Sequence, residues 1–278
     1  MEQLDTLLTL PEIQTGAIPF LGALIVALLL RPLRWTWSGL GLAAGFYASA
    51  YAVNVLHFTP LNSTSKLLAI GLAAVLTGLL ADLYRGSRQQ SFPVLFMLAG
   101  AAAAWLLWPI ISRQELATIW PSVLPAIIYL GWMAAWSDAL RDRPIRASGA
   151  AWVLGLSVGT MSVIGASASL GQLGIALGVA AGAIWLLSIP MAGLRTGSVF
   201  ALTALVLTAA LSLNGVFYAK LPWFSLLPLA LIPALALIPL PQTLSRFAEA
   251  LLSAVLMASF GLIAAFLTWH AAGGETSY

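Results

Sequence analysis

Long apolar stretches, punctuated by arginine, proline, glycine and short polar clusters, set the pattern of this chain. Ten are long enough to be membrane spans of about 20 residues. They cover 17–33, 37–57, 67–84, 92–111, 121–140, 148–167, 171–190, 197–217, 223–240 and 247–269. Through segments such as 17–30 and 67–80 the apolar residues run continuously instead of alternating. That predicts helices and excludes the strands of an outer-membrane barrel. The expected fold is an all-α polytopic membrane protein of about ten transmembrane helices. It comprises an N-terminal tail (1–16), one membrane domain (17–270) and a C-terminal tail (271–278).

The basic residues fall in alternate loops. Arg31, Arg34, Arg85, Arg88, Arg141, Arg143, Arg146, Arg195 and Arg246 lie on one side, and only Lys66, Arg113 and Lys220 on the other. Lys and Arg are enriched in cytoplasmic loops, so the first set is expected inside and both termini outside. The N-terminal tail agrees, carrying Glu2, Asp5 and Glu12 and no basic residue. It also lacks the positive n-region of a cleavable signal peptide. A helical protein with this charge pattern is expected in a bacterial inner membrane.

Two repeats are visible. Arginines at 31, 85, 141, 195 and 246 recur every two spans, as two helices and two short loops require. Separately, the Leu-Gly-Leu-Ala-Ala-Gly run at 40–45 is similar to Leu-Gly-Val-Ala-Ala-Gly at 177–182. Halves at 17–146 and 147–270 would each hold five spans. An odd number makes them inverted repeats, an arrangement common among transporters.

Composition adds exclusions. The chain has 278 residues, of which 61% are hydrophobic and 8% charged. Its mean hydropathy is +0.98. About 25% charged is usual for soluble proteins, so a soluble enzyme and a disordered chain are excluded. Net charge is only +3, with the arginines dispersed, which excludes a nucleic-acid partner. There is no cysteine and there are two histidines, so no metal and no cofactor is expected.

Several motifs resemble catalytic signatures without their context. Gly39-Leu-Gly41-Leu-Ala-Ala44 matches a dinucleotide fingerprint, but no strand precedes it and no acidic residue lies between Glu12 and Asp82. Gly155-Leu-Ser157-Val-Gly159 matches a nucleophile elbow. Its would-be partners Glu249 and His270 sit at opposite ends of one span, about 32 Å apart at 1.5 Å per residue. The Asp138/Asp142 pair lacks the second acidic cluster that a metal-diphosphate site needs. No catalytic residue, and hence no enzyme, is expected.

The remaining candidates are polar groups and small-residue faces. Tyr47, Tyr51 and Asn54 share one face of the second span, with His57 about 60° away. With Asn214 they are candidates to line a solute path. The ninth span and its flanks carry five prolines, among them Pro228 and Pro233, which predict a kinked or broken helix of the kind that marks substrate paths. Asp82/Arg85 and Asp138/Arg141, each at i, i+3, are expected ion pairs at cytoplasmic helix ends. Gly41, Gly45, Gly155, Gly159, Gly174, Gly178 and Gly182 form small-residue faces for helix packing, or for a homodimer or complex partner.

In span count and loop brevity the chain resembles ten-helix drug/metabolite exporters. External termini depart from that type and fit the bile-acid and auxin carriers better, although the motifs of those families are absent. The expected function is transport or facilitated passage of a small uncharged or amphipathic solute. The alternative is a non-catalytic scaffold or accessory subunit of a larger membrane complex.

Overall fold

The computed structural model describes residues 10–32, 35–84, 88–113, 115–165, 167–191, 193–241 and 243–273. Among these it is helical, with no strand. We number the helices α1 (Ile18–Leu30), α2 (Leu40–Ala52), α3 (Ser63–Tyr84), α4 (Arg88–Ile111), α5 (Leu116–Ala135), α6 (Pro144–Ile164), α7 (Ala168–Ser188), α8 (Gly197–Tyr218), α9 (Leu226–Leu235) and α10 (Arg246–Ala271). A one-turn helix, Ser137–Leu140, extends α5.

Among the described residues, eight segments are long and apolar enough to cross a membrane, the first being α1 together with the π-helical turn Ile13–Ala17 that precedes it. α2 and α9 are shorter than expected, for local reasons. α2 follows a 3-10 turn at Trp35–Gly39 and stops at Ala52, because Asn54 adopts φ 58°. A left-handed residue just past a helix end is the usual helix stop, and asparagine tolerates it better than most. α9 follows a second 3-10 turn, Trp223–Ser225, and ends at Leu235, ahead of Pro239 and Pro241. The ninth span is thus a short helix bounded by prolines, with Pro233 inside it. Proline leaves a carbonyl without its usual donor. Trp132 of α5 enters this region, and its indole Nε1–H donates to Ala230 O at 2.9 Å. Pro233 itself frees Leu229 O, one residue earlier, so this bond ties α9 to α5 and does not replace the donor the proline removes.

α8 is the axis of the bundle, buried along nearly its whole length. α3 lies along it, and α5 and α6 also touch it. Around this axis α1 packs on α2 and α7, α4 on α5, α6 on α7 and α10, and α9 on α10. The α6–α7 pair is held by close backbone approach. A Cβ at Gly174 would lie 2.5 Å from Gly159 N and 2.6 Å from Gly159 Cα. A Cβ at Gly155 would strike Gly178 N, and one at Gly182 would press on Trp152. Gly41 and Gly45 abut Ala23 O and Pro19 O of α1 in the same way. Without a hydrophobic effect between helices in lipid, such van der Waals contact is what associates them. The outer surface is apolar: Leu21, Ile25 and Leu29 on α1 and Leu251, Val255, Leu262 and Phe266 on α10 are all exposed.

Contacts sort the loops into two ends. At one, Ser38 donates to Arg195 O, Arg246 to Ser188 O and Met191 O, and Arg146 to Ile238 O. At the other, Gln14 donates to Ala52 O, Lys66 to Trp105 O, and Leu221 abuts Gly165 and Gly215. α2 and α9 each have one flank at each end, despite their short helices.

Candidate functional site

The polar stripe of α2 divides. Tyr47 turns inward and donates its hydroxyl to Leu68 O at 2.7 Å. Tyr51 faces outward and is 75% exposed. Asn54 lies past the helix end and is exposed, as is His57. Once the chain leaves the helix at Ala52, the i, i+7 relation that put Asn54 under Tyr47 no longer applies. The four side chains therefore do not converge on one cavity.

Asn214 is placed differently. It is 1% exposed on α8, and neither its amide oxygen nor its amide nitrogen has a hydrogen-bond partner among the described residues. Leaving a buried amide unpaired costs roughly 1–3 kcal/mol. The packing of α3 on α8 fixes its level. Gly71 meets Leu207, and Gly78 meets Val199. Continuing that antiparallel register puts Asn214 level with the first turn of α3.

That turn is rich in polar groups. Ser65 Oγ donates to His57 O at 2.6 Å, and Asn62 Oδ1 accepts from Ser65 N at 2.7 Å. Lys66 is only 7% exposed. From sequence alone Lys66 falls in an ordinary external loop. The burial of Lys66 and Ser65 cannot be read from sequence, because Ser65 bonds back to His57 O and Pro60 O and Lys66 packs on Trp105 of α4. On α5, the Tyr129 hydroxyl is buried without a hydrogen-bond partner, although Ser212 lies beside it. Ser212 itself donates to Thr208 O at 2.9 Å. One turn and a half from the other end of α8, Thr203 Oγ1 is likewise buried and unpartnered. Asn214, Tyr129 and Thr203 are thus neutral polar groups buried without partners among the described residues.

The opposite end carries the charges. Asp82 accepts from Ser198 N at 2.7 Å and from Val199 N at 3.1 Å, so it caps α8 from α3. Arg85, its expected partner, lies outside the described residues. Arg141 Nη1 pairs with Asp138 Oδ1 at 2.9 Å. Arg146 Nε pairs with Glu249 Oε1 at 2.7 Å, joining the first turns of α6 and α10. Arg143, Arg146, Arg246, Asp142 and Glu249 line a cleft of about 570 Å³ there. Pro228 and Pro233 are buried on α9, which packs on α10 and touches α5 and α6. Trp132 sits at this point, while Trp185 stacks on Trp152 with ring centroids 4.8 Å apart. Among the described residues no three His, Asp or Glu side chains gather.

Comparison with protein-family models and with curated proteins finds no match to this chain. The apolar helices and their apolar outer surface define a multi-pass, all-helical integral membrane protein.

Proposed function

We propose that this protein is a transporter or facilitator for a small uncharged or amphipathic solute. The observation that carries this reading is Asn214: a fully buried amide on the central helix, with both polar atoms unpaired. Polar groups inside a membrane domain are costly and usually functional. A solute hydroxyl or amide, or the water that accompanies it, would satisfy this one. Thr203, eleven residues back on the same face of α8, is a second unpaired group.

On this reading the chain crosses the bilayer ten times with both termini outside. The support is that α2 and α9 join opposite ends of the bundle, and that the arginine-rich loops meet at one end. Two inverted halves are part of the proposal. The pairings α1–α2 with α6–α7, and α4–α5 with α9–α10, correspond at an offset of five helices. The α6–α10 contact has no counterpart of similar extent. The small-residue faces are buried in contacts within the chain, which takes from the scaffold alternative the surface that favoured it.

The test is stopped-flow swelling of proteoliposomes with a panel of neutral solutes, glycerol and urea among them. Asn214→Leu should lower permeability by about tenfold, equal to roughly 1.4 kcal/mol of lost solute stabilisation. Wild-type permeability no higher than that of protein-free liposomes across the panel would overturn the reading.

A further inference from the structure

α3 and α4 are neighbours in the chain but barely touch, since α3 lies on α8 and α4 on α5. The gap between them is a cleft of about 380 Å³ with an almost wholly apolar lining. Ala69 and Ala73 of α3, Ala99 and Trp105 of α4, and Leu202 and Val206 of α8 form its walls. It is open along one side, where Leu98 and Trp105 of α4 are 55% and 42% exposed. Volumes from about 300 Å³ upward are ligand-sized.

Lys66 lies one turn before Ala69 and Ile70 on the face of α3 that lines the cleft. Its Nζ donates to Trp105 O at 3.0 Å and sits 5.3 Å from the centroid of the Trp105 ring. An ammonium has three donors, and this one uses a single carbonyl. Among the described residues no carboxylate lies within 4 Å of it. A buried cation normally has a paired charge, because burying it alone is expensive. The positive charge is therefore complementary to an anion at this end of an apolar cleft.

The length of the cleft narrows the choice. From Lys66 to Thr77, the last α3 residue of the lining, is about 16 Å at 1.5 Å per residue. That is about half the roughly 30 Å hydrocarbon core, the depth of one leaflet. Lys66 stands in the first turn of α3, three residues from the end of the apolar span Ser63–Leu83, and the cleft runs from it toward the middle of that span. We propose that this cleft is a binding site for a phospholipid with an anionic headgroup, drawn from the surrounding bilayer. One acyl chain lies between α3 and α4, and the phosphate is held by Lys66. The site does not depend on the transport reading, since it lies on the outer side of the bundle.

The experiment is native mass spectrometry of the purified full chain in mild detergent. Phosphatidylglycerol or phosphatidylcholine is added, and size-exclusion and thermal unfolding profiles serve as folding controls. Wild type should retain one phosphatidylglycerol in preference to phosphatidylcholine. Lys66→Gln should reduce phosphatidylglycerol retention by about tenfold, the size of a lost charge-assisted hydrogen bond, and leave phosphatidylcholine unchanged. Lys66→Arg should keep the preference. Ala99→Leu, which narrows the cleft, should lower retention of both, and it decides the matter if Lys66→Gln does not fold. Soluble glycerol phosphate should not bind. Equal retention of the two lipids by wild type, retention unaffected by Ala99→Leu, or binding of glycerol phosphate alone would each overturn the proposal.

Discussion

Asp82, at the end of α3, closes the N-terminus of α8 by accepting the amide of Ser198 at 2.7 Å, across 116 residues of sequence. A carboxylate here meets both the unpaired N–H groups and the positive end of the helix dipole. Gly197, at φ +67°, starts the helix directly against the same carboxylate. Asp82→Ala should cost about 1–2 kcal/mol, as lost caps do, and lower the thermal unfolding temperature in detergent. Gly197→Ala should cost more, because a Cβ would collide with the Asp82 carboxylate at a backbone angle that alanine disfavours. Equal stability of both variants and wild type would show that the cap is dispensable.

The α6–α7 crossing makes a contrast between two glycines. Gly174 has no space for a Cβ, whereas a Cβ on Gly16 would meet nothing within 4 Å. Gly174→Ala should destabilise by at least about 1–3 kcal/mol, the range for overpacked cores. Gly16→Ala should be neutral. The yield of monodisperse protein after size-exclusion chromatography reads the difference. If both variants behave like wild type, the helices separate more easily than this contact implies.

These positions show what the sequence carries and what it does not. The eight long helices are legible because each is a continuous apolar run, and the Asp138–Arg141 pair because i, i+3 is a distance within one helix. Local spacing points Asp82 at Arg85 and does not reveal its donors in α8, the amides of Ser198 and Val199. The stripe on α2 divides where the helix ends. Tyr47 packs inward as a helical face requires, but the helix stops before Asn54, and no residue count reveals a left-handed stop at an asparagine. Lys66 looks like one more loop charge until α4 folds beside it. Asn214 was visible as a polar residue in an apolar span, and its lack of partners emerges only with the packing.

Among the described residues, two other than glycine take positive φ: Asn54 at 58° and Lys220 at 56°. They differ in side chain, so substitution should separate them. Asn54→Leu should destabilise by about 1 kcal/mol through backbone strain alone, and Asn54→Gly should be tolerated. Lys220→Gly should stabilise, because lysine gains nothing locally from the left-handed region. Thermal unfolding in one detergent compares all three. Loss of stability in Lys220→Gly would mean that the side chain, and not the backbone, governs that turn.

Trp132 can be tested through its hydrogen bond. Trp132→Phe retains an aromatic ring but removes the Nε1–H given to Ala230 O. The cost should be about 1 kcal/mol, concentrated in α9, where Pro233 has already removed a backbone donor. Hydrogen exchange followed by mass spectrometry should show faster exchange at 226–238 and no change in α1 or α7. Uniform acceleration across the chain would instead point to a general loss of stability.

The orientation of the bundle is the most accessible of these questions, because the chain has no cysteine to remove. Probe positions must be exposed. Gly197 and Ala147 flank the right loops but are buried. Asp142 and Lys220 are exposed and stand at opposite ends of the bundle. Asp142 adjoins Arg141, Arg143 and Arg146, so the preference for Lys and Arg on the cytoplasmic side predicts it inside. In intact cells a membrane-impermeant maleimide should label Lys220→Cys directly. It should label Asp142→Cys only after permeabilisation. The reverse pattern would invert the orientation while leaving the helix pairings intact. Labelling of both from outside would mean that α6, α7 and α8, the three helices between the two probes, do not make three crossings.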